Sequence, residues 1–189
     1  TLWDSVWEDG VSKESSSYDA SGRTFLSYFL NLYANYHGVN LMESHPEFQR
    51  AFEWSLRSRF PWNRNYQSYG QARYTLIQDF HLLINHRFEQ YLDLSGMRWH
   101  YDHHSPALGV NPNSQEPIPF VLVWHDTNIP VEPPRSTGSR AYRNNMIFQR
   151  DYTDPKTTQL ILWGRETSWA NYEAHRKDDS SGIFLNAFG

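Results

Sequence analysis

Histidine, cations and paired carboxylates lie close together near the end of the chain, directly before an apolar run. His175 is followed by Arg176 and Lys177 and then by Asp178 and Asp179. A histidine can act as a base or stabilise charge, and the cations can hold an anionic group while the carboxylates orient them or bind a metal. The alternative is a charged turn whose side chains are solvated, and composition alone leaves both interpretations open.

A second group of candidate residues precedes the first predicted helix. Residues 9–20 form a polar stretch that we expect to be a loop delivering Glu14 and Tyr18 to a helix start. A tyrosine there can donate a proton, or accept one if neighbouring cations lower its pKa. Otherwise the Ser and Asp side chains cap the helix while the ring of Tyr18 packs.

Residues 99–104 hold three of the nine histidines. His100 and Asp102 form an H-x-D pair that, with His125 or His175, could provide the two-His-one-carboxylate site of a non-haem Fe(II) oxygenase. The pattern is short, and a solvated or loop-anchoring cluster is the alternative.

Composition excludes several classes of protein. The chain has 189 residues and a formal net charge of −4, which argues against general nucleic-acid or membrane-surface binding. Cations are concentrated at 57–73 and 135–150, so a local basic groove is compatible with the sequence. Cysteine is absent, which excludes disulfides and thiolate metal sites. No run reaches transmembrane length, and residues 1–7 do not resemble a signal peptide.

Aromatic residues make up 16% of the chain, with 8 Trp, 12 Tyr and 11 Phe. Most of them are explained by core packing. Aromatic side chains with a polar group also stack on sugar rings and other flat ligands, so an excess in polar surroundings is compatible with a carbohydrate cleft.

The first half of the sequence predicts helices. Apolar residues recur at helical spacing from Phe25 to Tyr36, and Gly38 follows as a C-terminal stop. Residues 44–47 resemble a capping box for a second helix, which ends before Pro61 and has Phe48, Phe52 and Leu56 on its apolar face. We expect a third helix over 69–88, extending to Leu94 and terminated by Gly96.

The second half predicts strands. Residues 105–119 are rich in Pro, Asn and Ser, and strand-like runs follow at 120–124, 145–149, 159–163 and 183–188. Helices followed by strands predict an α+β protein rather than an alternating parallel sheet. The expected division is a helical region over 1–97, a linker or loop over 98–118, and an antiparallel sheet region over 119–189.

In sequence order, these segments resemble the heparinase II/III-like polysaccharide lyases. The stretch from Asp9-Gly10 through Glu14 to Tyr18 resembles the family's "DG…E-x-S-x-Y" segment, and residues 38–48 resemble the helix junction after it. Residues 119–126, 130–134 and 139–142 resemble the passage into the family's sheet, and 175–189 resembles its His motif before an "S-F-x-L-x-A-x-G" strand. The resemblance implies a helical α/α toroid followed by an antiparallel β-sandwich, of which this chain is an incomplete, central fragment.

The resemblance also implies an activity, namely β-elimination on a uronic-acid-containing polysaccharide. By carry-over, Tyr18 is the catalytic acid, His175 is the base or charge stabiliser, and Glu14 and Arg176 bind substrate. Lys177 stands where the family often has a second histidine, so we expect no metal and no other cofactor.

The implied partner is an anionic polysaccharide or oligosaccharide, with no nucleic acid and no membrane, and the implied location is secreted or periplasmic. We expect the fragment alone to be inactive, because the family's carboxylate-neutralising segment would lie before Thr1. A non-catalytic carbohydrate-binding protein on the same scaffold is the alternative.

Overall fold

A computed structural model describes residues 7–12, 16–58, 86–104, 128–135, 138–143, 145–149, 154, 156–164 and 181–187. Its α-helices are α1 (Ser16–His37), α2 (Leu41–Ser44), α3 (Pro46–Arg57) and α4 (Leu94–His104), with a 3-10 turn at His86–Phe88. Its strands are β1 (Trp7–Glu8), β2 (Val11–Ser12), β3 (Arg140–Tyr142), β4 (Asn145–Gln149), β5 (Gln159–Gly164) and β6 (Ser181–Asn186). The predicted α+β class is confirmed, and among these residues no helix is long and apolar enough to cross a membrane.

Helix α1 ends at the predicted glycine. The backbone N–H of Gly38 donates to the carbonyl of Ala34 at 3.0 Å, and Gly38 has a φ of +67°, a conformation that side-chain-bearing residues rarely adopt. The predicted C-terminal stop at Gly38 is therefore confirmed.

The apolar stripe that predicts α1 lies on its exposed side. Phe25 is 71% exposed and Tyr36 is 86% exposed. The buried side instead carries Leu26 and Leu30, and with them polar residues at 23, 27 and 31. Part of this polarity is satisfied within the helix, since the Asn31 amide donates to the carbonyl of Ser27 at 2.9 Å. Helical periodicity thus predicts the element but does not establish which face is buried.

Helix α3 begins one residue later than the predicted capping box. Its N-cap is His45, which makes no side-chain capping hydrogen bond, so the predicted capping box is wrong. Ser44 instead ends α2. Pro46 then occupies the first helical position, where the missing N–H costs nothing. The predicted apolar face of Phe48, Phe52 and Leu56 is buried.

Gly96 does not terminate a helix; it lies in the first turn of α4. Asp93 precedes that turn, and its carboxylate accepts hydrogen bonds from the backbone N–H groups of Gly96 at 3.2 Å and Arg135 at 2.7 Å. The predicted linker over 98–118 therefore begins inside a helix, while 105–118 lies outside the described residues. The predicted third helix also lies outside them over 69–85, and only the 3-10 turn at its end is described.

Strands β3 to β6 form an antiparallel sheet in sequence order. Residues of β4 alternate between buried and exposed, as expected for a strand with one face on a core. The predicted strands at 145–149 and 159–163 are confirmed, and the one predicted over 183–188 is observed as Ser181–Asn186. Strand β3 was not predicted, and the run at 120–124 lies outside the described residues.

Residues 7–12 form a hairpin where a polar loop was expected. Asp9 and Gly10 have φ values of 52° and 84°, and Glu8 pairs with Val11 around them. Two central residues with positive φ define a type I′ turn, for which Asp-Gly is a preferred sequence. The turn packs tightly, because a Cβ built on Gly10 would lie 2.5 Å from the carbonyl carbon of Arg50.

Two apolar clusters hold these elements together. The first joins helices α1 to α4, with members such as Leu30, Phe52 and Met97. The second places Trp54 of α3 against the sheet residues Tyr142 and Ile147, so a helix and the sheet share one core. The rings of Trp54 and Tyr142 meet edge to face, with centroids 5.0 Å apart. The predicted helical and sheet regions are therefore in direct contact through α3.

Candidate functional site

The residues predicted to catalyse and bind lie mostly outside the described part of the chain. Tyr18 lies in the first turn of α1, where its backbone is helical as expected. Glu14, His175 and Arg176 lie outside the described residues. Their roles stay predictions, as does the expectation that Tyr18 and His175 face one cleft.

The hairpin anchors the chain just before Glu14 and Tyr18. The Asp9 carboxylate forms an ion pair with the Arg50 side chain of α3 and accepts a hydrogen bond from the backbone N–H of Arg143 at 3.1 Å. One carboxylate therefore ties the hairpin to a helix and to the sheet.

His100 and Asp102 both lie on helix α4. The iron site that the pair could provide stays a prediction. Among the described residues, no group of three or more histidines and carboxylates is placed to hold a metal ion.

A cleft of about 300 Å³ lies where α3, the start of α4 and strand β3 meet. Its apolar lining comes from Leu56, Leu92 and Met97, which are buried. Its polar lining is supplied by Gln49, Arg50, Glu53, Arg57, Tyr91, Asp93 and Arg140. An apolar surface bordered by charged and amide groups suits a ligand that has both C–H faces and polar substituents.

Two arginines in the cleft share one carboxylate. Arg57 Nε lies 2.9 Å from Glu53 Oε1, and Arg140 Nη2 lies 3.6 Å from Glu53 Oε2. Arg57 and Arg140 come from the two basic segments of the sequence, 57–73 and 135–150, and the fold brings these two members together at Glu53. For Arg57 and Arg140, the two cation-rich segments of the sequence therefore meet where the helix contacts the sheet.

Tyr91 is the phenol that lines this cleft. Partial burial, followed by the negative charge of Glu43, raises its pKa above the usual value of 10.0. Tyr91 therefore stays protonated at neutral pH and is not suited to act as a base.

Tyr142 lies close enough to the charged residues Glu53, Arg57 and Arg140 for their charges to act on its hydroxyl. It is buried, and its pKa is raised strongly, chiefly by burial and then by Glu53, with smaller opposing effects from arginines. Among the described residues, no group hydrogen-bonds to its hydroxyl. Tyr142 therefore contributes as a neutral ring packed on Trp54.

Sequence reasoning did not single out Glu53 or Arg140 individually. A signal existed on α3, where Gln49, Glu53 and Arg57 recur every four residues beside the apolar face formed by Phe48, Phe52 and Leu56. That polar stripe is also what a solvated helix face would show. Only the contact with β3 distinguishes a cleft lining from a solvated face, and that contact belongs to the tertiary structure.

Comparisons with protein-family models, with curated proteins and with solved structures return no match to this chain.

Proposed function

We propose that this protein is a polysaccharide lyase that cleaves a uronic-acid-containing polysaccharide by β-elimination. Support comes from the ordered sequence resemblance and from one structural observation. The cleft where the helices meet the antiparallel sheet combines an apolar lining with three arginines, and these groups suit a carboxylated sugar. The finer architecture, an α/α toroid joined to a β-sandwich, belongs to the same proposal.

The proposed reaction breaks two bonds on neighbouring carbons. His175 removes the C5 proton of a uronate, which produces an enolate-like transition state that cationic groups stabilise. Expulsion of the C4 oxygen then forms the C4–C5 double bond, and Tyr18 donates a proton to the departing oxygen. Glu14 and Arg176 hold the sugar, and no metal or other cofactor takes part.

The test is an assay of the full-length protein on alginate, heparan-type and ulvan-type polymers, with the ultraviolet absorbance of the unsaturated sugar as the readout. We expect the natural protein to generate this absorbance on one of the polymers. Tyr18→Phe should reduce kcat by about 100-fold or more, because it removes the transferable proton while keeping the ring. Far-ultraviolet circular dichroism checks that the variant is folded. Unchanged turnover in a folded Tyr18→Phe variant would reject the assignment of Tyr18.

A non-catalytic carbohydrate-binding protein is the second candidate, and the cleft itself favours it. Among the described residues, those that line the cleft include donors and acceptors but no histidine, and Tyr91 stays protonated. Such a set suits binding rather than proton abstraction. Retained affinity for a uronate polymer in a protein that releases no unsaturated product would favour the binder over the lyase.

A further inference from the structure

The arginines of the cleft differ in how firmly they are held. The Arg57 side chain is only 5% exposed, pairs with Glu53 through Nε, and donates from Nη1 to the carbonyl of Gly138. The backbone carbonyl of Arg57 in turn accepts from the Gln159 amide at 2.9 Å. Arg57 thus joins α3 to the sheet, and moving its side chain toward a ligand would break the contacts with Glu53 and Gly138.

Arg140 is held much more loosely. Its side chain is 48% exposed, and its Nη2 atom lies 3.6 Å from Glu53, at the long end of an ion pair. Glu53 is already neutralised by Arg57 at the shorter distance of 2.9 Å. The guanidinium of Arg140 is therefore oriented by a carboxylate that does not depend on it, and it can turn to a second anion at little cost.

The charge of the lining also favours an anion. Of the described residues that line the cleft, three are arginines (Arg50, Arg57 and Arg140) and two are carboxylates (Glu53 and Asp93), which leaves one excess positive charge among them. Arg50 is paired with Asp9, and Asp93 is paired with the guanidinium of Arg135, whose Nε lies 3.8 Å from Asp93 Oδ1. The excess charge thus falls on the pair of arginines around Glu53.

We propose that Arg140 is the carboxylate-binding residue of the cleft, which receives the acid group of one uronate residue while the sugar ring lies on Leu56, Leu92 and Met97. A guanidinium can bind a carboxylate through two parallel N–H···O bonds, which an ammonium cannot do. The ligand class rests on the proposed function, whereas the anion preference rests on the charges and exposure described above.

Binding measurements on the full-length protein test this proposal without requiring turnover. The probes are a uronate oligosaccharide, a neutral oligosaccharide of equal length and a sulfated one, each titrated by calorimetry. Arg140→Ala should weaken binding of the uronate probe by roughly 10- to 100-fold and leave binding of the neutral probe unchanged. Arg140→Lys, which keeps the charge and the fold, should bind the uronate probe with an affinity between those of the natural protein and of Arg140→Ala.

Arg135→Ala is the matched control, because Arg135 is likewise an exposed arginine paired loosely with a lining carboxylate, its Nε 3.8 Å from Asp93 Oδ1, but it does not itself line the cleft. It should bind the uronate probe like the natural protein. Three results would overturn the proposal: equal uronate affinity in Arg140→Ala, an equal loss in Arg135→Ala, or no preference of the natural protein for the uronate probe over the neutral probe. A stronger dependence on Arg140 for the sulfated probe would assign the site to sulfate instead.

The two proposals fail in different ways. If Arg140-dependent uronate binding occurs without unsaturated product, the lyase reaction is rejected and the carboxylate site stands. If Arg140→Ala binds uronate normally while product still forms, the carboxylate site is rejected and the lyase reaction stands.

Discussion

At the scale of single residues, Glu53 organises the charges of the cleft. It pairs closely with Arg57 and loosely with Arg140. Its negative charge also helps to raise the pKa of buried Tyr142. Burying an arginine such as Arg57 is costly unless its charge is paired and its N–H groups are satisfied. The ion pair with Glu53 explains how the charged Arg57 side chain is accommodated where α3 packs against the sheet.

The buried phenol of Tyr142 gives a prediction about alkaline stability. Because its folded-state pKa is raised above 10.0, the unfolded chain releases this proton first as pH rises. Stability from this group is complete below pH 10 and decreases above it. Tyr142→Phe should remove that contribution. Since no described group hydrogen-bonds to the hydroxyl, the variant should lose less than about 1 kcal/mol of unfolding free energy at pH 7.

Urea unfolding of the natural protein and of Tyr142→Phe between pH 7 and 11 measures this difference. Tyr36→Phe is the control, because its ring is largely exposed, and it should retain the alkaline loss of stability seen in the natural protein. Identical alkaline slopes for the natural protein and Tyr142→Phe would contradict the account.

At the scale of elements, the start of α4 shows how a distant segment decides a local structure. Asp93 binds the first turn of α4 and also the backbone of Arg135, so the segment 128–135 is held against the helix start. A Cβ built on Gly96 would lie 2.6 Å from Pro134 Cα and 2.7 Å from Asp93 Oδ2. Gly96 therefore allows a close approach of two backbones.

Gly96→Ala should consequently destabilise the protein, although the same change within a helix ordinarily stabilises by about 1 kcal/mol. We expect a loss of about 1–3 kcal/mol in unfolding free energy, because backbone atoms of Pro134 must move. Gly138→Ala is the matched control, since no atom of the described residues outside its neighbours lies within 4 Å of the added Cβ. Chemical denaturation measures both, and a stabilised Gly96→Ala variant would show that the approach of Pro134 is not tight.

Sequence patterns predict elements whose signals are local, and they do not predict features that depend on distant residues. Short apolar runs separated by turn-forming residues were enough to predict β4 and β5, because those signals are local. The predicted role of Gly96 as a terminator is wrong because a glycine after an apolar run ordinarily ends a helix, whereas here its partner Pro134 is distant in sequence. The buried face of α1 was equally unpredictable, since Arg23 and Asn31 lie inward while Phe25 lies outward.

At the scale of the whole molecule, α3 connects the helices to the sheet. Its Phe52 belongs to the helical cluster and its Trp54 to the cluster shared with β3 to β5, while Arg57 links it to the sheet through Gln159. The cleft lies along this connection, so its shape depends on both parts of the fold. The clustered cations of the sequence indicate the charge of the cleft. They do not indicate that α3 contacts β3, because these elements are far apart in sequence and meet only in the tertiary structure.

The central claim is elimination rather than binding or hydrolysis, and the mass of the products tests it most directly. The full-length protein is incubated with a uronate oligosaccharide in heavy-oxygen water, and the fragments are weighed by mass spectrometry. We predict fragments whose masses sum to that of the substrate, with one unsaturated end and no heavy oxygen introduced by cleavage, because elimination adds no water. Fragments that together gain one heavy water molecule, or an intact substrate, would contradict the account.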